Sequence, residues 1–331
     1  MKKYLVIGNP IEHSLSPKLH NYWIKKNKIE AIYEKKRLEK HQLQELILKI
    51  KEKEISGINV TVPFKKEVIP YLDTLSPESE KTLSVNTIYF NNGKTIGHNT
   101  DIAGFELSIK KIKYNINGKN ILILGAGGVV PSIIFALYRM KASKITIINR
   151  NKLKANNLKN LFKDLIISDW ANVSNFDMVI NATSVGLHKD EKLDLDLSKL
   201  DNSKFFYDVI YNPKETEFIK TGKHLGSRVE NGAMMFIYQA HQAFTIWHKL
   251  MPEINDEVIK IYNVRDNSSL YDEEPEPEPE PEPDIPLHYT LGRKSNTDFM
   301  STKQKNANII RQQKYTLSNV SVKNNNSSLF V

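Results

Sequence analysis

The chain has 331 residues, 40% of them hydrophobic, enough for about two packed cores, and it has no cysteine, which excludes disulfides and thiolate metal sites. Its net charge is +9, and the excess lies in residues 1–263, because 264–331 is slightly acidic; such a balance suits anionic ligands, but on charge alone lysine-rich solvated faces are the favoured reading. The basic residues are dispersed, with no basic run interleaved with aromatics, so nucleic acid is not an expected partner, and no stretch approaches the ~20 apolar residues of a membrane helix.

The opening MKKYLVIGNP sets two lysines before a short apolar run that Asn9, Pro10 and Glu12 end at once, so it reads as a strand over 3–8 rather than a leader. A helix is predicted over 17–27 with Pro17 in its first turn, then a strand over 32–36. Leu43, Leu46, Ile47 and Ile50 recur at helical spacing within 39–53. Strands follow at 57–62, cut off by Pro63, and at 85–90. Strands alternating with helices imply a mostly parallel sheet. The run NILIL at 120–124 suits a strand buried on both faces. Gly125-Ala126-Gly127-Gly128, a helix to about residue 140 and strands at 144–148, 178–182 and 205–209 complete a doubly wound pattern. Helices at 231–250 and 256–262 are expected to return to the first domain, since the second sheet already has its helices.

The sequence therefore predicts an α/β protein of two domains. Residues 1–100, with returning helices at 233–263, form the first, and 101–232 form a Rossmann-type nucleotide-binding domain. Residues 264–331 hold DEEPEPEPEPEPD and a tail rich in Asn, Ser, Lys and Gln. Alternating Glu-Pro cannot enter helix or sheet and its charges repel, so a disordered linker and appendage is expected there.

A strand, then Gly125-Ala126-Gly127-Gly128, then a helix is the context of a dinucleotide site. Gly125 permits the tight turn, Gly127 lets backbone approach the pyrophosphate, and the helix start offers free N–H groups. Val130 stands at the third fingerprint position, where Gly or Ala is usual. The alternative is a tight turn without a ligand. The next strand ends at Asn149-Arg150, where an NAD enzyme carries an acidic residue for the ribose. Arg150 and Lys154 stand there instead, and a guanidinium forks onto phosphate, so NADP is favoured over NAD.

Three polar clusters follow strand ends or precede helices: Ser14-Leu-Ser16-Pro17, Asn59-Val-Thr61-Val-Pro63-Phe-Lys65 and Asn99-Thr-Asp101. Singly, each has a plain structural reading: Ser16 as a helix cap, Lys65-Lys66 as a solvated pair, Asp101 as a cap. Together with VNTI at Asn86, NTDIAGF, GAGG, NATSVGL, DVIYNPKET and NGAMM…YQA, in that order over residues 1–263, they resemble the shikimate dehydrogenase family. The resemblance implies NADPH-dependent, reversible reduction of 3-dehydroshikimate to shikimate, on the route to chorismate and the aromatic amino acids, in a cytoplasmic monomer or homodimer.

By that resemblance Ser14 and Ser16 hold the substrate carboxylate, Thr61, Asn86, Tyr211 and Gln239 also contact substrate, and Lys65 and Asp101 are the catalytic pair. Gly125, Ala126, Gly127, Gly128, Val129, Asn149, Arg150, Asn151, Lys154, Val209 and Gly232 line the NADP site. The family often has Arg where Lys154 stands, and the segment from Val264 has no counterpart in it. Lysine chemistry suits the proposed role, since an ammonium can stabilise the charge growing on a ketone oxygen and then supply the proton. No metal is expected, because no His/carboxylate cluster has metal spacing. The rivals are a quinate/shikimate dehydrogenase using NAD and a non-catalytic binding protein on the same fold. His13, His20, His98 and His241 are read as packing or surface residues, and Trp23, Trp170 and Trp247 as core or cleft wall.

Overall fold

The structure is a computed structural model that describes residues 1–169, 176–188, 191, 193 and 202–263. The expected tail at 264–331 and Trp170 lie outside the described residues.

The first sheet is built from β1 (Lys2–Gly8), β2 (Ala31–Arg37), β3 (Gly57–Val60), β4 (Thr74–Leu75), β5 (Thr87–Asn91) and β6 (Lys94–His98), in the order β2-β1-β3-β5-β6-β4. Helix α1 (Ser16–Lys26) links β1 to β2, α2 (Leu43–Lys51) links β2 to β3, and α3 (Pro77–Thr82) follows β4. The β1, β2 and β3 strands run parallel, while β5 pairs antiparallel with both β3 and β6. The β5–β6 hairpin, absent from the sequence reading, turns through Asn92 and Gly93, both at positive φ. Asn-Gly is the residue pair that such a two-residue turn prefers.

Helix α4 (Asp101–Lys111) leads into the second sheet: β7 (Asn120–Leu124), β8 (Lys144–Ile148), β9 (Ile166–Ile167), β10 (Met178–Asn181), β11 (Phe205–Asp208) and β12 (Arg228–Glu230). Its order is β12-β11-β10-β7-β8-β9 and every pairing is parallel. Helices α5 (Val130–Arg139) and α6 (Lys152–Leu161) flank β8, and α7 (Glu217–His224) lies between β11 and β12. The fold is thus α/β with two sheets. The order reverses around β7, so the crevice at the carboxyl ends of β7 and β10 is where a ligand binds in such sheets. Val130 is fully buried in the core with Ile121, Ile123 and Met178, so the larger side chain at the third fingerprint position fills the helix–strand contact.

Helix α8 (Ala233–His248) buries Phe236, Ile237, Phe244 and Trp247 in the same cluster as Tyr4 and Trp23 of the first sheet's layer. The Trp247 indole donates to Ile88 O at 3.1 Å. Helix α9 (Asp256–Asn263) adds Val258 to that cluster. Helix α4 packs along α8, which brings the start of α4 and the middle of α8 to one place. Among the described residues no helix is long and apolar enough to cross a membrane.

Candidate active site

The carboxyl ends of β1 and β3, the start of β5 and the start of α4 converge, and the polar residues that follow them form one hydrogen-bonded chain. Lys65 follows β3 and is only 8% exposed, although a lysine beside Lys66 reads in sequence as a solvated pair. A buried ammonium needs a partner, and Lys65 Nζ lies 2.5 Å from Asp101 Oδ2. Asp101, 5% exposed, is the first residue of α4. Its other oxygen accepts from Asn86 Nδ2 at 2.8 Å. The Asn86 amide also donates toward Thr100 Oγ1 and Gln239 Oε1, and its oxygen accepts from the Thr100 N–H at 2.7 Å. Lys65, Asn86, Asp101 and Gln239 therefore stand in direct contact.

A second group continues from Asn86. Asn59 Nδ2 donates to Asn86 O at 3.0 Å, and Asn59 Oδ1 accepts from the Tyr33 hydroxyl at 2.7 Å. Tyr33 in turn bonds the Ser16 side chain, and burial holds its phenol well above the ordinary range. Tyr211 stacks on Phe236 with ring centres 4.4 Å apart. Burial pushes the Tyr211 phenol up to about 12, against its bond to the backbone of Leu15, between the two serines. Ser14 Oγ accepts from the Ser16 N–H at 3.3 Å, and Ser16 is the first residue of α1. Ser16 is therefore not a helix cap: Leu15 takes that position, and the cap-like bond comes from Ser14. Asp101 likewise sits inside α4, with Thr100 before it. Thr61, half-buried, has a backbone N–H donating to Ile7 O. Thr100 lay within the Asn99-Thr-Asp101 cluster without a role of its own, and Tyr33 carries no signal in sequence; only the pairing of β1 with β2 brings it here.

Across the crevice β7 ends at Gly125, whose φ of +112° suits glycine alone and whose Cβ would meet Ala182 O at 2.8 Å. Gly127 and Gly128 are exposed. Among the described residues, the N–H groups of Ala126, Gly127, Gly128 and Val129 donate to no protein acceptor, and they precede the first turn of α5. Four undirected amides at a helix start fit a dinucleotide pyrophosphate. Asn151 caps α6 by accepting from the Lys154 N–H at 3.1 Å, and Asn149 Nδ2 donates to Asn151 O at 2.7 Å. Arg150 and Lys154 are exposed and, among the described residues, without an acidic partner, whereas neighbouring Lys152 pairs with Asp169. Two unneutralised cations after β8 fit an additional phosphate on the ribose. Val209 donates to Asn181 O, and its own carbonyl lies 2.0 Å from where a Cβ on Gly232 would stand, so only glycine fits there. Among the described residues no group of three His, Asp or Glu side chains is placed to hold a metal ion.

The two sides touch. A Cβ on Gly128 would sit 3.7 Å from Lys65 Cδ, so the lysine side chain runs against the glycine loop.

The profile of the shikimate dehydrogenase substrate binding domain matches residues 6–88, and that of shikimate / quinate 5-dehydrogenase matches 106–218. The shikimate dehydrogenase (NADP(+)) of Pelagibacter ubique is 54% identical over 263 residues, covering 80% of this chain and 99% of that protein. The crystal structure of shikimate dehydrogenase from Aquifex aeolicus superposes with a TM-score of 0.74 at 33% identity, over 80% of this chain and 98% of that one. The shikimate 5-dehydrogenase of Thermus thermophilus, solved in complex with NADP(H) and shikimate, gives 0.73 at 28% identity, over 80% and 99%. The chain belongs to the shikimate dehydrogenase family.

Proposed function

We propose that the chain catalyses the NADPH-dependent, reversible reduction of 3-dehydroshikimate to shikimate, with Lys65 and Asp101 as the catalytic pair. The carrying observation is the buried 2.5 Å contact between Lys65 and Asp101, with the lysine side chain lying against the glycine loop. Bound NADPH would supply hydride to the ketone carbon. As charge develops on the ketone oxygen, the Lys65 ammonium stabilises it and delivers a proton. Asp101 fixes the direction of that ammonium, because its Oδ2 accepts from Lys65 while its Oδ1 is held by the Asn86 amide. Ser14, Ser16 and Tyr211 orient the substrate carboxylate, and Thr61, Asn86 and Gln239 meet its hydroxyls. Gly125, Ala126, Gly127, Gly128 and Val129 hold the pyrophosphate, Asn149, Arg150, Asn151 and Lys154 the 2′-phosphoribose, and Val209 and Gly232 the nicotinamide side. Residues 1–100 with 233–263 form the substrate domain and 101–232 the cofactor domain, and the reaction takes place in the cytoplasm.

The test follows absorbance at the nicotinamide band with shikimate or quinate and with NADP+ or NAD+. Rapid reduction of NADP+ by shikimate alone is expected. Comparable rates with quinate or NAD+ would move the chain to the broader quinate/shikimate enzymes, and no turnover with any pair would leave a binding protein.

A further inference from the structure

Asn99 is polar, 3% exposed and outside the set that meets substrate or cofactor, yet its amide is saturated. Its Oδ1 accepts from the Asp101 N–H at 3.1 Å. Since that N–H can only donate, the amide orientation is fixed. Its Nδ2 lies within reach of Thr82 Oγ1 at 3.1 Å, Ser84 O at 3.0 Å and Ser132 Oγ at 2.9 Å. Ser132 also returns a bond, its hydroxyl lying 3.2 Å from Asn99 Oδ1.

Ser132 is the fully buried third residue of α5, the helix whose start follows the glycine loop. A two-way bond thus runs from the cofactor helix to the residue that holds the backbone of Asp101. A separate bond crosses nearby, from Ser84 Oγ to Gly128 O at 3.1 Å, and it does not involve the Asn99 side chain.

We propose that Asn99 and Ser132 form a positioning clasp which couples the seating of NADP(H) at the start of α5 to the orientation of Asp101, and through it of Lys65. The inference rests on the function proposed above. The path is short: helix α5, Ser132, Asn99, the Asp101 amide, then the carboxylate that holds the lysine. A shift of α5 on binding pyrophosphate moves the Ser132 hydroxyl, which meets both Nδ2 and Oδ1 of Asn99, and that same Oδ1 holds the Asp101 N–H. Dinucleotide and substrate then bind with a mutual coupling that passes through one hydroxyl.

The experiment measures shikimate affinity by calorimetry with and without NADP+, together with kcat, for wild type, Ser132→Ala and Ser84→Ala. Coupling between linked sites is typically about 5–150-fold. The expectation is that Ser132→Ala loses most of that factor and lowers kcat, while shikimate affinity without NADP+ stays at the wild-type value. Ser84→Ala, which cuts the other crossing bond, keeps the coupling. An active Ser132→Ala with wild-type coupling would overturn the clasp, as would an equal loss in Ser84→Ala, a drop in shikimate affinity without NADP+, or no coupling in wild type. A wild type that turns over no shikimate would instead overturn the function, and the clasp with it.

Discussion

Two aspartates are buried near the crevice, one at the start of α4 and one at the end of β11, and they are held in different ways. Asp101 meets a cation, Lys65, on one oxygen and the Asn86 amide on the other. Asp208, at the end of β11 and 0% exposed, meets among the described residues only neutral donors: Thr216 Oγ1 at 2.5 Å, Ile210 N–H at 3.0 Å and Asn181 Nδ2 at 3.1 Å. Burial pushes Asp208 up to about 6, against those three donors. The difference separates two uses of one side chain. A carboxylate facing an ammonium sets the direction of a group that can move a proton. A carboxylate among amide and hydroxyl donors ties elements together: Asp208 joins the end of β10, the turn into Tyr211 and the cap of α7. Asp101 is thus placed to direct a neighbouring ammonium, and Asp208 to hold the frame of the second sheet.

The sharpest way to break that division is at the charged pair. Lys65→Ala should lower kcat by about 10²–10⁴-fold, the range for losing a positioned acid–base group. NADP+ affinity, measured by fluorescence titration, should survive, since the four loop amides remain. If NADP+ binding fell in step with kcat, the lysine would belong to the frame. Next in size is Arg150→Ala. Losing a charge-assisted bond to phosphate costs about 1.5–3 kcal/mol, roughly 10–150-fold in NADP+ affinity. Weak binding of NAD+ should be unchanged, and an equal loss for both dinucleotides would sink the assignment.

Thr216→Val probes the neutral hub and carries a pH signature. With a folded pKa of about 6 against an ordinary carboxyl near 3.9, the folded state binds more protons than the unfolded state in that window, so Asp208 erodes stability as pH rises through it. Removing the Thr216 donor raises the folded value further and extends the loss upward. At pH 5 the variant should lose about 1 kcal/mol, the value of the α7 cap that Thr216 also provides. At pH 7.5 it should lose roughly 1–2 kcal/mol more. Equal losses by thermal melting at both pH values would show that Asp208 is not the titrating group.

How much of this was legible in the sequence depended on the kind of signal. Buried parallel strands announce themselves: the NILIL and KITII runs match β7 and β8 to the residue. The helix predicted over 39–53 begins instead as a single tight turn at Lys40–Gln42, and α2 runs only over Leu43–Lys51. Short elements with mixed faces, β4, β6, β9 and β12, did not stand out from the loops around them. The two-residue β4 and β9 depend on pairing with a neighbour rather than on a pattern of their own. For the site, the motifs placed Lys65, Asn86, Asp101 and Gln239 on one short list, and the structure brings these four into contact. Asn99 was within a noted cluster but its partner Ser132 was not, because a serine in a helix carries no sign of what crosses from another sheet's layer. Long-range pairing of polar groups is a property of the fold, and local pattern is blind to it.

The smallest effect is expected at His20, read in sequence as packing, where the first half keeps a neutral group that the chemistry does not use. Its ring is 1% exposed, neither nitrogen has a partner among the described residues, and it stacks on Tyr33 at 4.2 Å with planes 2° apart. Burial, with a smaller push from His248, lowers it to about 3. An unfolded histidine titrates near 6.5, so between those values the unfolded state binds more protons and stability falls as pH drops. His20→Phe keeps an aromatic ring against Tyr33 but cannot take up a proton in either state. Any packing change from the larger ring is independent of pH and cancels when two pH values are compared. From pH 8 to pH 5.5 the variant should therefore gain about 1 kcal/mol relative to wild type, read from paired denaturant melts. A difference that stays flat across that interval would mean that His20 is protonated alike in both states. The ring stack beneath the Tyr33–Asn59 bond would then have to tolerate a charge, and Tyr33 would lose its place as a fixed neutral support for the substrate side.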